Sequence, residues 1–380
     1  MMCRFFKLQC FLFLIFLYGE SPASTSAPSP TSNQALGDSL APKAHWIYDV
    51  DFGFLFDNLE DSDPYWATRT LLSAKLSPEV GLAFDNQTIK LGGYFILDMG
   101  EQVPQNGGMT LYYSFDSADF SAYLGAFPKK YQIGKYPLLY WREDYDFYHS
   151  NFNGTMFQYH SADNGTDVEL ILNWYGGKLI KRIDEFMLEG FWQSNFYDRL
   201  LFIGASSLVF HIKNDEILNP TIYESAYLLD RIYYEARIGS DLSSLAPSFD
   251  QLSLQLSLLA SLERKRFLDK GIEPFDHRIG GELGFQIQYQ GFGFGNSLYV
   301  GDSHMKFFSQ YGDDLKNAGY SGLPFYQSSL YNRSELYYQY QNSYLNLKCS
   351  VIFHTTQKHF AHQQMITLSL DTEKLLRQLF

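Results

Sequence analysis

Hydrophobic and polar residues alternate with a period of two along most of the chain. The clearest example is residues 46–56, where every even-numbered residue is aromatic or branched aliphatic and the odd-numbered residues are mainly polar or glycine. Successive side chains of a β-strand point to opposite faces, so this period is typical of a strand. The segment is therefore predicted to be a strand with one apolar face and one wet face.

The same alternation recurs as far as residue 370. Across Asp85-Asn86 the apolar positions change from even to odd numbers, as expected for a tight turn between adjacent strands. Asn164-Gly165 is a strong hairpin signal between two further segments. The pattern predicts about sixteen antiparallel strands. It breaks after Leu370, and residues 372–380 are predicted to form a short helix.

The predicted connections differ in length. Several are tight turns, whereas residues 129–153, 263–280 and 301–333 are predicted to be long polar connections, the first and the third of them rich in Tyr. Short turns on one rim and long loops on the other are typical of a transmembrane β-barrel.

Two folds fit the alternation. A soluble sandwich uses about seven strands per ~100 residues, so this chain would contain several such domains, and no boundary between them is visible. In a membrane barrel the apolar face meets lipid, the polar face meets water, and closure pairs every backbone group. The predicted fold class is therefore all-β, a single antiparallel transmembrane β-barrel over residues 44–380 with membrane lipid around it.

Several short stretches resemble a known class of protein. Residues 123–128, 153–159, 295–302, 323–328 and 344–347 look like parts of the uncharacterised porin-like outer-membrane β-barrels of Gram-negative anaerobes. The likeness spans roughly residues 90–370, and its motifs are structural and carry no chemistry. It implies an outer-membrane location and the barrel-assembly machinery as a partner, and it leaves a homo-oligomer open.

The N-terminus carries an export signal. Arg4 and Lys7 precede an apolar run at residues 11–18, and Ser21-Pro22-Ala23 forms a small-residue cleavage site. Residues 1–23 are predicted to be a signal peptide, and the Ser/Pro-rich residues 24–43 a flexible leader. After cleavage Cys349 is the only cysteine, so no intramolecular disulfide is predicted.

Composition narrows the function classes. Aromatic residues make up 18% of the chain, yet the mean hydropathy is −0.22, so the apolar residues are dispersed rather than collected in blocks. The formal net charge of −13 argues against a nucleic-acid partner, because phosphate contacts need Lys and Arg. It favours cations or neutral molecules as solutes.

Motifs that could carry chemistry are weak. Residues 37–40 match a short esterase motif around Ser39, but no buried strand precedes it, and Ser303 lies in a similar motif without a downstream Asp-x-x-His. His354, His359 and His362 lie close together without a carboxylate or thiol, which favours a solvated hairpin tip over a metal site. No catalytic, metal or cofactor site is predicted, and the chain is not expected to be an enzyme.

The leading functional prediction is an outer-membrane porin-like channel for passive diffusion of small hydrophilic solutes or ions. Rings of charge on the wet face would set its selectivity. The predicted pore-lining residues are Asp49, Asp51, Lys75, Glu79, Arg142, Glu143 and Asp144. The alternative is a receptor or adhesin that binds glycans through the Tyr-rich loops without transport.

Overall fold

The computed structural model describes residues 44–63, 68–161, 165–175, 185–214, 227–267, 270–308, 320–372 and 374–375. The predicted signal peptide, residues 1–23, and the leader, residues 24–43, lie outside the described residues. Most of the described chain is β-strand, as the alternation predicts.

The described strands follow one another along the chain. They are β1 (His45–Asp61), β2 (Arg69–Phe84), β3 (Gln87–Asp98), β4 (Asn106–Asp116), β5 (Phe120–Pro128), β6 (Asn151–Ser161), β7 (Thr166–Trp174), β8 (Phe186–Phe196), β9 (Leu201–Asn214), β10 (Tyr227–Asp241), β11 (Gln251–Phe267), β12 (Gly271–Ile272), β13 (Asp276–Tyr289), β14 (Phe292–Gly301), β15 (Leu330–Gln341), β16 (Leu345–Thr356) and β17 (Phe360–Leu370). A one-turn helix, α1 (Tyr145–Tyr148), and 3-10 turns at Lys129–Tyr131 and Pro324–Gln327 lie between them.

The sheet closes on itself. Each long strand pairs antiparallel with the next, and the two-residue β12 extends the pairing of β11 beside β13. The first strand then pairs with the last, from Phe52 opposite Leu370 to Asp61 opposite Ala361. Closure satisfies the backbone groups of both edge strands. The predicted antiparallel barrel of sixteen long strands is confirmed.

Apolar side chains cover the outside of the barrel. On β1, Trp46 and Tyr48 are 66% and 62% exposed, whereas Asp49 and Asp57 on the opposite, inner face are buried. Outward Leu, Ile, Val and Phe continue this surface on the other strands. A closed barrel of this kind, with an apolar outer belt, is the architecture that spans bacterial outer membranes. The apolar face of residues 46–56 is therefore the one that meets lipid.

Aromatic rings cluster near one end of the barrel. Phe115 and Phe120 lie 6.4 Å apart between ring centroids, and Phe292 and Tyr338 lie 4.9 Å apart. These residues flank the short connections 117–119 and 290–291. Such a ring is typical of the interfacial girdle of a membrane barrel.

The two rims differ as predicted. Tight turns such as 85–86 and 290–291 lie on the rim where β1 begins, here called the turn rim. The long connections 129–150 and 302–329 start from the opposite rim, here called the loop rim.

One predicted long connection is wrong. Residues 263–280 are mostly strand, because β11 continues to Phe267 and β13 begins at Asp276. The alternation is hidden there because charged residues occupy both faces, with Glu263 inward and Arg264 outward. The sequence pattern therefore underestimates the length of these strands.

Two further predictions concern helices. Thr372, Lys374 and Leu375 have helical backbone, in line with the helix predicted over 372–380, and the other residues of that segment lie outside the described part of the chain. Among the described residues, no helix is long and apolar enough to cross a membrane.

Substitutions at two neighbouring residues on opposite faces of β11 test which face of the strand contacts lipid. Leu256 points outward and is 55% exposed, whereas Gln255 points into the barrel. We expect Leu256→Arg to destabilise the folded state by about 2–4 kcal/mol, because it places a charge in lipid, and Gln255→Arg to fold normally. The measurement is the fraction of protein that migrates as a folded band before boiling. Equal folded fractions for both variants would contradict this arrangement.

Candidate solute path

Residues 129–150, here called the inner loop, fold into the barrel and cross its interior. Near one end of the loop, the Tyr148 hydroxyl lies 2.6 Å from Ser73 Oγ on β2. The Tyr140 hydroxyl donates to the carbonyl oxygen of Ser206 on β9, at 3.4 Å. The loop therefore contacts strands on widely separated parts of the wall.

The first anchor of the inner loop is an ammonium group between two carboxylates. Lys130 Nζ lies 2.5 Å from Asp49 Oδ2 and 2.6 Å from Asp51 Oδ2. Lys90 approaches Asp49 as well, at 3.9 Å. Burial opposes the charge on Lys130, but Tyr131 and the two carboxylates outweigh it and raise the pKa of the amine. Lys130 therefore remains a cation that holds the loop to β1.

The second anchor is a buried carboxylate that binds the loop backbone. Glu169 on β7 accepts hydrogen bonds from the backbone N–H groups of Ile133 and Gly134 at 2.8 and 3.1 Å. It also accepts from the Tyr136 hydroxyl at 3.2 Å and from Gln158 Nε2 at 2.7 Å. A buried carboxyl group with this many donors fixes the conformation of the peptide that supplies them.

In the third anchor the inner loop contributes the carboxylates and the wall contributes the cations, the opposite of the first anchor. Glu143 of the loop lies 2.5 Å from Arg333 on β15, and Asp144 lies 2.8 Å from Arg69 on β2. Arg69 also binds Asp57 on β1 at 2.9 Å. The loop thus presents a cation to acidic wall residues near its start and carboxylates to basic wall residues near its end, so charge complementarity fixes its direction across the barrel.

A second connection, residues 302–329, packs on the inner loop. The Arg142 N–H donates to the Ser321 carbonyl and the Leu323 N–H to the Leu138 carbonyl, both at 2.8 Å. These bonds join the two loops through their backbones. The described part of the second connection is therefore also turned into the barrel.

The contact between the two loops requires a glycine. A Cβ at Gly322 would lie 2.0 Å from the carbonyl oxygen of Leu139, which no side chain could relieve. Because the backbones of the two loops lie this close, their side chains form one shared apolar core inside the barrel near the loop rim. Its members include Leu139, Tyr140, Trp141, Tyr233, Met305, Tyr320, Leu323, Phe325 and Tyr326. The interior at this height is therefore filled largely by protein.

Two titratable groups of the loops are buried in this region. Burial opposes the charge on Lys129, but Asp146 at 2.8 Å contributes to a net rise in its pKa, and the amine lies 4.6 Å from the Tyr145 ring centroid. Burial lowers the pKa of His304 to about 4, and its Nδ1 lies 2.8 Å from Ser261 Oγ. Lys129 is therefore charged and His304 neutral near pH 7.

The four predicted pore residues on β1 and β2 all point inward, but their environments differ. Asp49 and Glu79 are buried, Glu79 accepting from the Tyr112 hydroxyl at 3.0 Å. Asp51 stays partly exposed, and so does Lys75, which donates to Ser150 of the inner loop. Of the four, only Asp51 and Lys75 still face water.

The other three predicted residues, Arg142, Glu143 and Asp144, lie together in the inner loop. Arg142 Nε donates to Asp144 at 3.0 Å, and the two carboxylates bind wall arginines as described above. They form a separate group from the cluster around Asp49. Their ion pairs hold the loop in place.

Sequence reasoning missed the partners of these residues. Lys130, Arg69, Arg333 and Glu169 form the anchors, yet none follows from strand alternation as a site residue. Alternation assigns a strand residue to the inner or outer face. Alternation does not indicate which of the inner residues will be covered by a loop that folds into the barrel.

The prediction that three histidines share a solvated hairpin tip is wrong for His354. This residue points inward on β16 and is fully buried, with Nε2 3.0 Å from Gln363 Oε1 and the Phe325 ring stacked at 4.3 Å. His359 lies at the tip and His362 points outward on β17. The second inward connection covers the wall at the height of His354, which the local sequence cannot indicate.

Comparisons with known proteins give neighbours by structure alone. No protein-family model matches the chain, and no curated protein matches it. Pseudomonas putida OprB is 10% identical, with a TM-score of 0.47 and coverage of 86% of this chain and 94% of that one. Salmonella typhi OmpF, in complex with daunomycin, is 12% identical, with a TM-score of 0.45 and coverage of 85% and 97%.

Pseudomonas aeruginosa OccK1 (OpdK) is a further neighbour, 10% identical, with a TM-score of 0.40 and coverage of 86% of this chain and 98% of that one. These neighbours are Gram-negative outer-membrane porins. At such scores the likeness carries no argument about function, and the barrel of this chain is established by its own strand pairing.

Removing the ammonium of the first anchor should loosen the inner loop. Lys130→Gln leaves Asp49 and Asp51 close together without the cation between them, and we expect a loss of about 1–3 kcal/mol. Lys135→Gln, at an exposed position of the same loop, is the matched control. The measurement is the unfolding temperature in detergent, together with protease cleavage of the loop. If both variants behave alike, the anchor has no role in holding the loop.

Proposed function

We propose that this outer-membrane barrel is a channel for passive diffusion of small hydrophilic solutes, and that the inner loop narrows its lumen. The observation that carries this proposal is a polar inner wall that stays partly exposed in the half nearest the turn rim, beside a loop anchored across the interior. Polar walls of this kind hold water and admit solutes without forming a covalent or tightly bound intermediate.

Charged groups border the space that the loop leaves. Lys130, Lys135 and Asp146 of the inner loop are exposed, and Asp51 and Lys75 of the wall are partly exposed. We propose that these five side chains set the charge of the narrow region. In this proposal Asp49 and Glu79, together with Arg142, Glu143 and Asp144, act indirectly by fixing the position of the loop.

The alternative, a glycan-binding receptor or adhesin, needs tyrosines that are accessible from outside. Tyr320, Tyr326 and Tyr331, from the Tyr-rich stretch 301–333, are each only 1% exposed and belong to the core inside the barrel. Their burial argues against stacking on an external sugar. The channel is therefore the better supported function, and it requires no enzymatic step.

Shortening the inner loop tests the channel directly. We expect the purified protein to produce conductance steps in a planar bilayer. Replacing residues 133–147 by a short Gly-Ser linker should raise the conductance severalfold, because the loop no longer obstructs the lumen. The matched control replaces residues 101–104, in an exposed connection on the same rim, and should leave the conductance unchanged.

The result that would overturn the proposal is a folded barrel without conductance in both the natural and the shortened form. Folding is checked independently by the shift of the band on boiling. A loop deletion that folds and leaves the conductance unchanged would remove the inner loop from the pathway.

A further inference from the structure

One side of the inner wall is lined by neutral amides. They lie on β11, β13, β15 and β16 in the half of the barrel nearest the turn rim, and all are partly exposed. This surface, here called the amide wall, consists of Gln251, Gln255, Gln286, Gln288, Gln339 and Asn346.

The amide wall differs in charge from the wall formed by β1 and β2. On β1 and β2 the inner face carries Asp49, Asp51, Lys75 and Glu79. Among the described inward residues of the amide-wall strands in the turn-rim half, Lys348 is the one Asp, Glu, His, Lys or Arg, and its Nζ lies 2.6 Å from Glu335. A solute that passes along the amide wall therefore meets hydrogen-bonding groups with little net charge.

Hydrogen bonds orient these amides. Gln251 Nε2 donates to Gln286 Oε1 at 2.9 Å, and Gln286 Nε2 donates to the Tyr337 hydroxyl at 3.0 Å. Gln339 Nε2 donates to Asn346 Oδ1 at 2.9 Å. Each primary amide has two donor hydrogens and an acceptor oxygen with two lone pairs, so these bonds use only part of its capacity.

Glycines shape the wall between the amides. Gly284 on β13 and Gly295 on β14 point inward without a side chain, and a Cβ at either would meet nothing closer than 3.9 Å. The wall is therefore recessed at these two positions. The amides of Gln255 and Gln286, on neighbouring inward positions, border this recess.

A third glycine lets an aromatic ring lie against the wall. A Cβ at Gly293 would lie 2.1 Å from Cζ of Tyr337, so only glycine leaves room for the ring. The Tyr337 hydroxyl is thereby placed between Gln286 and Gln288. The buried Tyr337 phenol therefore holds the partly exposed amides of Gln286 and Gln288 in one neutral hydrogen-bonded network.

We infer that the amide wall is a binding track for neutral polyhydroxylated solutes, of the size of a mono- or disaccharide, in preference to ions of similar size. Hydroxyl groups both donate and accept, and amides match both roles without attracting or repelling charge. A charged solute meets no unpaired opposite charge on this wall to offset the loss of its hydration, since Lys348 is paired with Glu335. The inference rests on the proposed channel function and names its solute class.

The experiment measures potassium chloride current through single channels in a planar bilayer, with maltose as the neutral probe and gluconate as the charged one. We expect maltose to reduce the current in a saturable manner and gluconate to do so far less. Each variant is compared with its own current in the absence of sugar.

Substitution of the amides should remove the response. In the double variant Gln286→Leu with Gln339→Leu, the maltose concentration for half reduction should rise about thirtyfold, as expected for two lost hydrogen bonds of about 1 kcal/mol each. The matched control is Gln364→Leu, an outward amide on β17, which should respond as the natural protein does. If the double variant fails to fold, Gln339→Glu provides the second test and should weaken the maltose response.

The outcomes separate this inference from the proposed function. Channels that carry potassium chloride but give no maltose response, or an equal response in the double variant, would overturn the inference and leave the channel standing. An equal response to gluconate and maltose would also overturn it. Folded protein without any current, in both the natural and the loop-shortened form, would overturn the proposed function and this inference together.

Discussion

The need to pair every backbone N–H and C=O group in hydrocarbon governs this structure. A strand with an apolar outer face can lie in lipid only if both of its edges are bonded, and the pairing of β1 with β17 supplies the last bonds. Closure in turn fixes which face of each strand is inside. The alternation of side chains, the outer apolar belt and the polar lumen all follow from that one closed ladder.

A closed barrel creates an interior in which polar and charged groups must find partners. The inner loop provides many of these partners. Lys130 forms ion pairs with Asp49 and Asp51, and Glu143 forms an ion pair with Arg333. An uncompensated buried charge is costly, so removing either member of such a pair is expected to cost more than the pair itself contributes. The inner loop and the wall are therefore mutually dependent, and the position of the loop is set by the order of charges along it.

The sequence predicts the fold far better than the site. Strand alternation was sufficient to place Trp46 and Tyr48 outside and Asp49 and Lys75 inside, because the face of a strand residue is a local property. Burial of Asp49 and His354 depends on loops that are distant in sequence, and Gly322 contacts Leu139 across about half the length of the chain. The full lengths of β11, which continues to Phe267, and of β13, which begins at Asp276, were also not predicted, because charged residues on both faces remove the period of two.

The anchors and the amide wall occupy different parts of the lumen, and their chemistry suits different tasks. Most charged groups near β1 and β2 form ion pairs that hold the inner loop. The amides of β11, β13, β15 and β16 instead bond to one another and to the neutral hydroxyls of Tyr337 and Ser257, and they remain partly exposed. A charged wall that is neutralised by the protein itself has little attraction left for a passing ion. The surface with unused hydrogen-bonding capacity is the neutral one, which is why the solute class follows from the amides even though the chain carries a net charge of −13.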